Sequence, residues 1–498
     1  MARIAVIGAG MGAMAAAARL AVAGHRPVVL ERASTYGGAV GAIERDGFAF
    51  DTGPGLLHLP AVYRDLFIKT GKEPLEDLIG LTQVEPAVRH VFADGTTTDL
   101  PNARRAGVAE ALDAAVGEGA GARWSSFMNR AREAWDRSRR PLLEEPLWPN
   151  WQVLAEREPY PAVVRRRLLR RDSAATTLAE IGAFELGGDP RLVALLEQYA
   201  LAYGLDPRTA PAGAAVLPYM EQTFGTWAVT GGLRALADAV YARCLKRKVE
   251  FRFGAAVSRI VEKDGRAAGV ELADGSVEDA EFVVAGVAPG VLDGLLSGRS
   301  VRGEVPAQSE SAVPARMTLH LALRGARPEG TAHRTVVHGA DRDAELAWLF
   351  DGGAPPVRPT VTVLRPGDAA QVPDAGHEAV TATVAVPAHA RVAEADVESV
   401  LAAVERAVPD LRERLLWHEV RTPRDIAEAT GAAGGAVPAP ALAAAQGRLL
   451  HPANSTGMPG LFTVGGWSHP GGGLPHAGMS GALVAGLIVE GPEFRGSQ

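Results

Sequence analysis

Three clusters of small residues have the spacing of a nucleotide-phosphate cradle. Near the start, GAGMGA sets Gly8, Gly10 and Ala13 in the G-x-G-x-x-G/A pattern, with Met11 and Gly12 between them. Gly8 suits a tight turn, Gly10 lets backbone approach a pyrophosphate, and Ala13 allows a helix to pack closely on its strand. Glu31, followed by Arg32, comes about twenty residues later, where a carboxylate accepts hydrogen bonds from ribose hydroxyls. A second glycine run, Gly37 and Gly38 followed by Ala39, leads into GFAFDTGP, which ends at Pro54 before Gly55. The third cluster is GGWSHPGGGLPHAGMSGALVAG, carrying Gly465, Gly466, Trp467, His469, Gly473, Leu474, Pro475 and His476. Bare backbone and helix N-termini bind anions, and histidine titrates near neutral pH.

These residues need a strand, a turn and a helix to hold them. RIAVI is a short apolar run, residues 13–23 are alanine-rich and helical in character, Gly24 ends that helix, and residues 27–30 form a second strand. Strand, helix and strand within so short a span make a βαβ unit, so at least part of the fold is a parallel sheet. The glycine pattern and the continuation VVLER favour this reading of the apolar N-terminus over a signal peptide. Residues 108–205 read as largely helical, and residues 233–246 as a helix followed by a β-meander. RMTLHLALRG, PTVTVLR and AVTATVAVP read as strands, residues 396–408 and 411–420 as helices, and GLFTVGG as a closing strand. A further helix is expected to begin near Ala477.

The chain has 498 residues, 47% hydrophobic and 22% charged, enough for two or three domains. Its net charge of −7 argues against a nucleic-acid partner. A single cysteine, Cys244, excludes an internal disulfide and any cysteine-based metal cluster. The histidines lack metal-ligand spacing, so no metal is expected. No stretch is apolar enough to span a bilayer, and a cytoplasmic protein, peripheral at the inner membrane face if membrane-bound at all, is the expectation. RRRLLRR at residues 165–171, opening on Arg165 and closing on Arg171, has the composition to touch anionic lipid headgroups; a solvated helix face is the other reading.

GAGMGA, Glu31, the glycine pair, GFAFDTGP, FGTWAVTGGLRALADAV and PGLFTVGGWSHPGGGLPHAGMSGALVAG, taken in this order, resemble the FAD-dependent amine-oxidase-like superfamily. Within it the chain is similar to the phytoene desaturase (carotenoid desaturase) family. The resemblance covers most of the chain and is strongest at its two ends. It implies an α/β fold, with a discontinuous Rossmann-like FAD-binding domain and an α+β substrate domain. The expected division is 1–75, 224–300 and 445–492 for FAD, 76–223 as a helical lid, and 301–444 as the substrate-domain sheet and helices. The resemblance implies FAD contacts at the small residues named above, at Glu31, Arg32, Leu474 and Pro475, and at Val257. It implies that the helix near Ala477 aims its N-terminus at the flavin and that Gly471, Gly472 and Gly473 let backbone approach the ring. Many relatives carry arginine where this chain has Ala39, and aspartate where it has Gly466.

The implied activity is desaturation of a long polyene or isoprenoid, with hydride transfer to flavin N5 and oxygen, a quinone or NAD(P) as electron acceptor. Relatives in bacterial secondary metabolism instead cyclise polyene tetramates, and a flavin-binding isomerase without net redox turnover is a third reading. His469 and His476 would position substrate or shuttle protons, or would be loop histidines bonded to backbone. Trp227 and Trp467 would wall a flat apolar cavity or serve as core.

Overall fold

The computed structural model describes residues 1–162, 174–298, 305 and 313–496, so the arginine run at 165–171 lies outside the described residues. A five-stranded parallel sheet runs in the order Glu250–Phe253, Arg26–Glu31, Arg3–Ile7, Phe282–Ala285 and Leu461–Thr463. These strands are short and rich in Val, Ile and Phe, as expected of a sheet covered on both faces. Val6, in the central strand, opposes Val29 on one side and Val284 on the other. The sheet is therefore assembled from residues far apart in the chain.

Helix Met11–Val22 is almost all alanine, methionine and glycine, and is buried along most of its circumference. The C-terminal helix Leu474–Glu490 lies against it. Their crossing is close: a Cβ on Gly481 would stand 2.6 Å from the Gly12 carbonyl oxygen and 2.8 Å from Ala15 Cβ. That contact explains why both helices are built of small residues. The C-terminal helix starts at Leu474, earlier than the expected Ala477. Pro475 occupies the first turn, where its missing N–H costs nothing, so proline opens this helix and does not delay it.

A seven-stranded mixed sheet faces the parallel one. Its order is Leu415–Arg421, Ala315–Arg324, His377–Val386, Val361–Leu364, Arg334–Val337, Val88–Val91 and Thr97–Leu100. Residues 76–223, read as helical, thus begin with strands, two of which extend this sheet. Residues 411–420 depart from the helical reading more sharply: only Leu411–Arg414 is helical, and Leu415–Arg421 is an edge strand. LLWHEVR is short and ambiguous in period, and pairing with Ala315–Arg324 decides it. Trp417 on this strand packs edge-on against Phe48 and Phe50. Helices Ala120–Arg139, Pro190–Leu201 and Val216–Phe224 surround a third core region centred on Trp124 and Phe127.

Candidate cofactor and substrate site

Between the C-terminal ends of the parallel strands and the mixed sheet lies a cavity of about 1420 Å³. Ligands bind at this edge of open parallel sheets, where strand order reverses around the central strand. Gly8, Gly10, Met11, Gly12 and Ala13 enter the cavity from the first turn, and Glu31 and Arg32 from the end of the next strand. Gly37, Gly38, Ala39, Pro54, Gly55 and Val257 border it from neighbouring loops. Gly465, Gly466, Gly473, Leu474 and Pro475 complete it from the C-terminal segment. The structure thus brings these expected cofactor residues to the lining of one cavity, Gly471 and Gly472 excepted.

The geometry fits an anionic dinucleotide. Helices Met11–Val22 and Leu474–Glu490 are preceded by Gly10 and Gly473, and neither has a side-chain cap, so first-turn N–H groups remain available. Both N-termini border the same cavity and concentrate positive potential there. No protein atom lies within 4 Å of where a Cβ on Gly10 or Gly465 would stand. That open space is what a bound phosphate or ribityl chain would fill. The Glu31 carboxylate accepts from Ala9 N at 2.7 Å and from Ala33 N at 2.8 Å, which fixes the turn and leaves acceptor capacity for a ribose.

Other motif residues turn out to be scaffolding. Asp51, within GFAFDTGP, accepts from Leu233 N at 2.9 Å and Arg234 N at 3.1 Å, capping helix Leu233–Lys246. Burial pushes its pKa up to about 6. Arg234 supports the Gly37 loop from behind, donating to the Tyr36 carbonyl at 2.8 Å and to Thr35 Oγ1 at 3.1 Å. Arg32 donates to the Glu428 carbonyl at 2.6 Å, at the C-terminal end of helix Pro423–Thr430, where cations are favoured. Among the glycines of the opening PGGGLP turn, two answer to the chain itself. A Cβ on Gly472 would stand 1.8 Å from the Pro438 carbonyl oxygen, and one on Gly471 would stand 2.7 Å from Ala439 O. The segment bearing Pro438 and Ala439, not the cofactor, demands bare backbone there. Gly473, at φ 102°, is the one that borders the cavity.

The two histidines part company. His469 is fully buried away from the cavity, with Nε2 2.9 Å from the Glu145 carbonyl, the backbone-bonded arrangement. His476 borders the cavity, and its Nδ1 has no partner within the protein. Burial brings His469 down to about 4 and His476 down to about 3, so both are neutral at physiological pH. Trp467 borders the cavity, whereas Trp227 stands outside it, its Nε1 donating to the Phe224 carbonyl at 3.1 Å.

Sequence reasoning missed two groups. Asn454 Nδ2 ties Ser480 Oγ at 3.1 Å to the His469 carbonyl at 2.8 Å, and Ser480 Oγ accepts from Gly465 N at 3.0 Å. This hub holds the closing strand to the C-terminal helix. Deeper in the cavity, Arg334 binds Glu221 through both terminal nitrogens, one contact measuring 2.9 Å. Tyr199 donates to the same carboxylate at 3.3 Å, and His58 Nε2 lies 3.7 Å away. Neither set has a local sequence signal, because its members meet only through long-range folding.

The fold and this cradle define a flavin-dependent oxidoreductase whose cofactor cradle opens into a larger cavity. The model of the flavin containing amine oxidoreductase family matches residues 14–489, and the chain belongs to that family, with FAD as its cofactor. Within it the chain is phytoene desaturase-like. It is 30% identical to a 4,4'-diapolycopene oxygenase of Methylomonas sp, with 98% of each chain covered. It is also 30% identical to a hydroxyneurosporene desaturase of Rhodobacter capsulatus, covering 98% of this chain and 97% of the relative. An oxidoreductase from Methanosarcina mazei superposes with a TM-score of 0.63 at 17% identity, covering 97% of this chain and 99% of that one. Putrescine oxidase bound to putrescine superposes with a TM-score of 0.62 at 14% identity, covering 98% and 99%. These two structures attest the fold alone. Among the described residues, no helix is long and apolar enough to cross a membrane.

Proposed function

We propose that this enzyme desaturates a long polyene or isoprenoid chain held in the chamber beyond its FAD cradle. The observation that carries the reading is the continuity of the cavity: the helix N-termini at Gly10 and Gly473 and the apolar side chains Leu201, Leu217 and Met220 line one space. FAD, when bound, would supply the two-electron acceptor for the hydride lost from an allylic carbon, the proton lost from the adjacent carbon going to solvent or to the electron acceptor. The work of the chain is binding, orientation and exclusion of water. Gly8, Gly10, Glu31 and Gly465 hold the dinucleotide, and the first turn of helix Leu474–Glu490 stabilises negative charge on its reduced form. Trp467 and the apolar wall align the chain to be oxidised. His476, neutral and unpartnered at Nδ1, is a polar side chain beside the Gly473 turn, together with the Tyr203 hydroxyl.

The test is mass spectrometry of products from the FAD-loaded protein incubated with phytoene, with oxygen, a quinone or NAD(P) supplied in turn. Desaturation lowers substrate mass by about 2 Da per step, reductive cyclisation raises it by about 2 Da, and isomerisation leaves it unchanged. A product of unchanged or raised mass refutes desaturation.

A further inference from the structure

One face of the mixed sheet is wrong for a hydrocarbon. Directly opposed residues on four neighbouring strands form the row Arg421, Thr318, Thr383 and Thr362. Opposed residues point to the same face, and all four border the cavity. Arg316, two residues before Thr318 on the same strand, shares that face and also borders the cavity. With Thr381, two residues before Thr383 on the same strand, the cavity roof carries four hydroxyls and two guanidiniums, while Leu201, Leu217 and Met220 keep another part apolar.

Neither cation forms an ion pair among the described residues, and only Arg421 has a carboxylate, Asp425, near enough to favour its charge. Arg316 donates to the Ala202 carbonyl and Arg421 to the Thr52 carbonyl; among the described residues neither is paired with a carboxylate. Cavity carboxylates are committed elsewhere. Glu221 is held by Arg334, Asp51 caps a helix, and Asp368 accepts from Gly231 N at 2.5 Å. Burial pulls both guanidiniums below their ordinary range, an unfavourable setting above all for Arg316, which has no carboxylate to offset it. A structural arginine in such a place is normally neutralised by the protein itself. An unneutralised one in a ligand chamber is a binding group.

We infer that the substrate is a polyene acid, whose carboxylate-like oxyanion sits against Arg316, flanked by Thr318 and Arg421, while its apolar chain fills the chamber. This rests on the polyene reading above and adds a charged head to it. Arg316 then fixes which end of the chain lies at the sheet and so which bond reaches the flavin. Its role is specificity and register.

The probe is cis-parinaric acid, a conjugated tetraene that fluoresces when shielded from water, compared with its methyl ester on the FAD-loaded full chain at about pH 7.5. The acid should bind at least about tenfold more tightly than the ester, the difference of a charge-assisted contact. Arg316→Met should reduce the acid to the ester's affinity and leave ester affinity unchanged, and Arg316→Lys should keep part of the preference. Flavin absorbance reports folding; if Arg316→Met loses it, Arg421→Met and Thr318→Val carry the same comparison and should weaken the acid selectively. Equal binding of acid and ester by the wild type overturns the proposal and leaves the polyene reading standing. A preference that survives these substitutions also overturns it. Binding of neither probe overturns both.

Discussion

Substituting Arg334 by methionine leaves Glu221 with a buried, unopposed charge. Both side chains are 11% exposed, and the carboxylate is gripped by two guanidinium nitrogens. At about 4 Å and an effective dielectric of about 20, such a pair interacts by roughly 4 kcal/mol. Breaking buried pairs costs about 3–5 kcal/mol. Tyr199 still donates to Glu221 in the variant, so a loss of about 3 kcal/mol is expected. Burial pushes the Glu221 carboxyl up, but Arg334 outweighs it and holds the group below the usual range. The wild-type pair therefore stabilises the protein above the unfolded carboxylate pKa, and that contribution is lost as pH falls through the lower folded value. In Arg334→Met burial is opposed only by His58 and the Tyr199 hydrogen bond, so Glu221 takes up a proton at higher pH than in the wild type, and the gap to wild type narrows as pH falls from about 7.5 to about 5. Urea unfolding followed by tryptophan fluorescence measures this. The Glu221→Leu/Arg334→Met double variant should recover to within about 1 kcal/mol of wild type. A double variant as unstable as the two single losses added together refutes the coupling.

Glycines of the two cradles should separate into distinct classes. Gly10→Ala has open space for its Cβ and an ordinary φ of −71°, so the FAD-free protein should keep its stability within about 0.5 kcal/mol while FAD affinity, read by flavin fluorescence, falls at least about tenfold. Gly472→Ala drives a Cβ into the Pro438 carbonyl and should lower the melting temperature of the FAD-free protein itself. His320, His333, His451 and His469 are held down to about 4, and His338 and His476 to about 3. Between those values and about 6.5 the unfolded chain binds more protons, so stability should fall as pH drops below about 6.5, seen as a falling melting temperature. Because His476 is neutral throughout, His476→Gln should leave the pH profile of turnover between about 6 and 8 without a lost inflection.

The small-residue lining of the cavity was legible because its signals are local. GAGMGA and Glu31 carry their spacing within one βαβ unit, and Gly465 to Pro475 lie in one turn. The elements that failed were those decided at a distance. LLWHEVR became a strand because Ala315–Arg324 was there to pair with it. Gly471 and Gly472 were demanded by a passing segment no periodicity reveals. The polar roof was written in the sequence as alternation, Arg316 with Thr318 and Thr381 with Thr383, but alternation does not say whether a face meets solvent or a chamber. Asn454 and the Glu221–Arg334 pair were invisible for the same reason.

The close crossing of Met11–Val22 with Leu474–Glu490 also has a bearing on biosynthesis. One half of the FAD cradle is made with residues 8–13 and the other only with residues 465–475, far later along the chain. The two halves of the cradle meet only when Gly481 packs against Gly12, so the complete cofactor site depends on that long-range contact. A chain cut before Gly465 would lack the second helix N-terminus of the cradle and should retain flavin poorly.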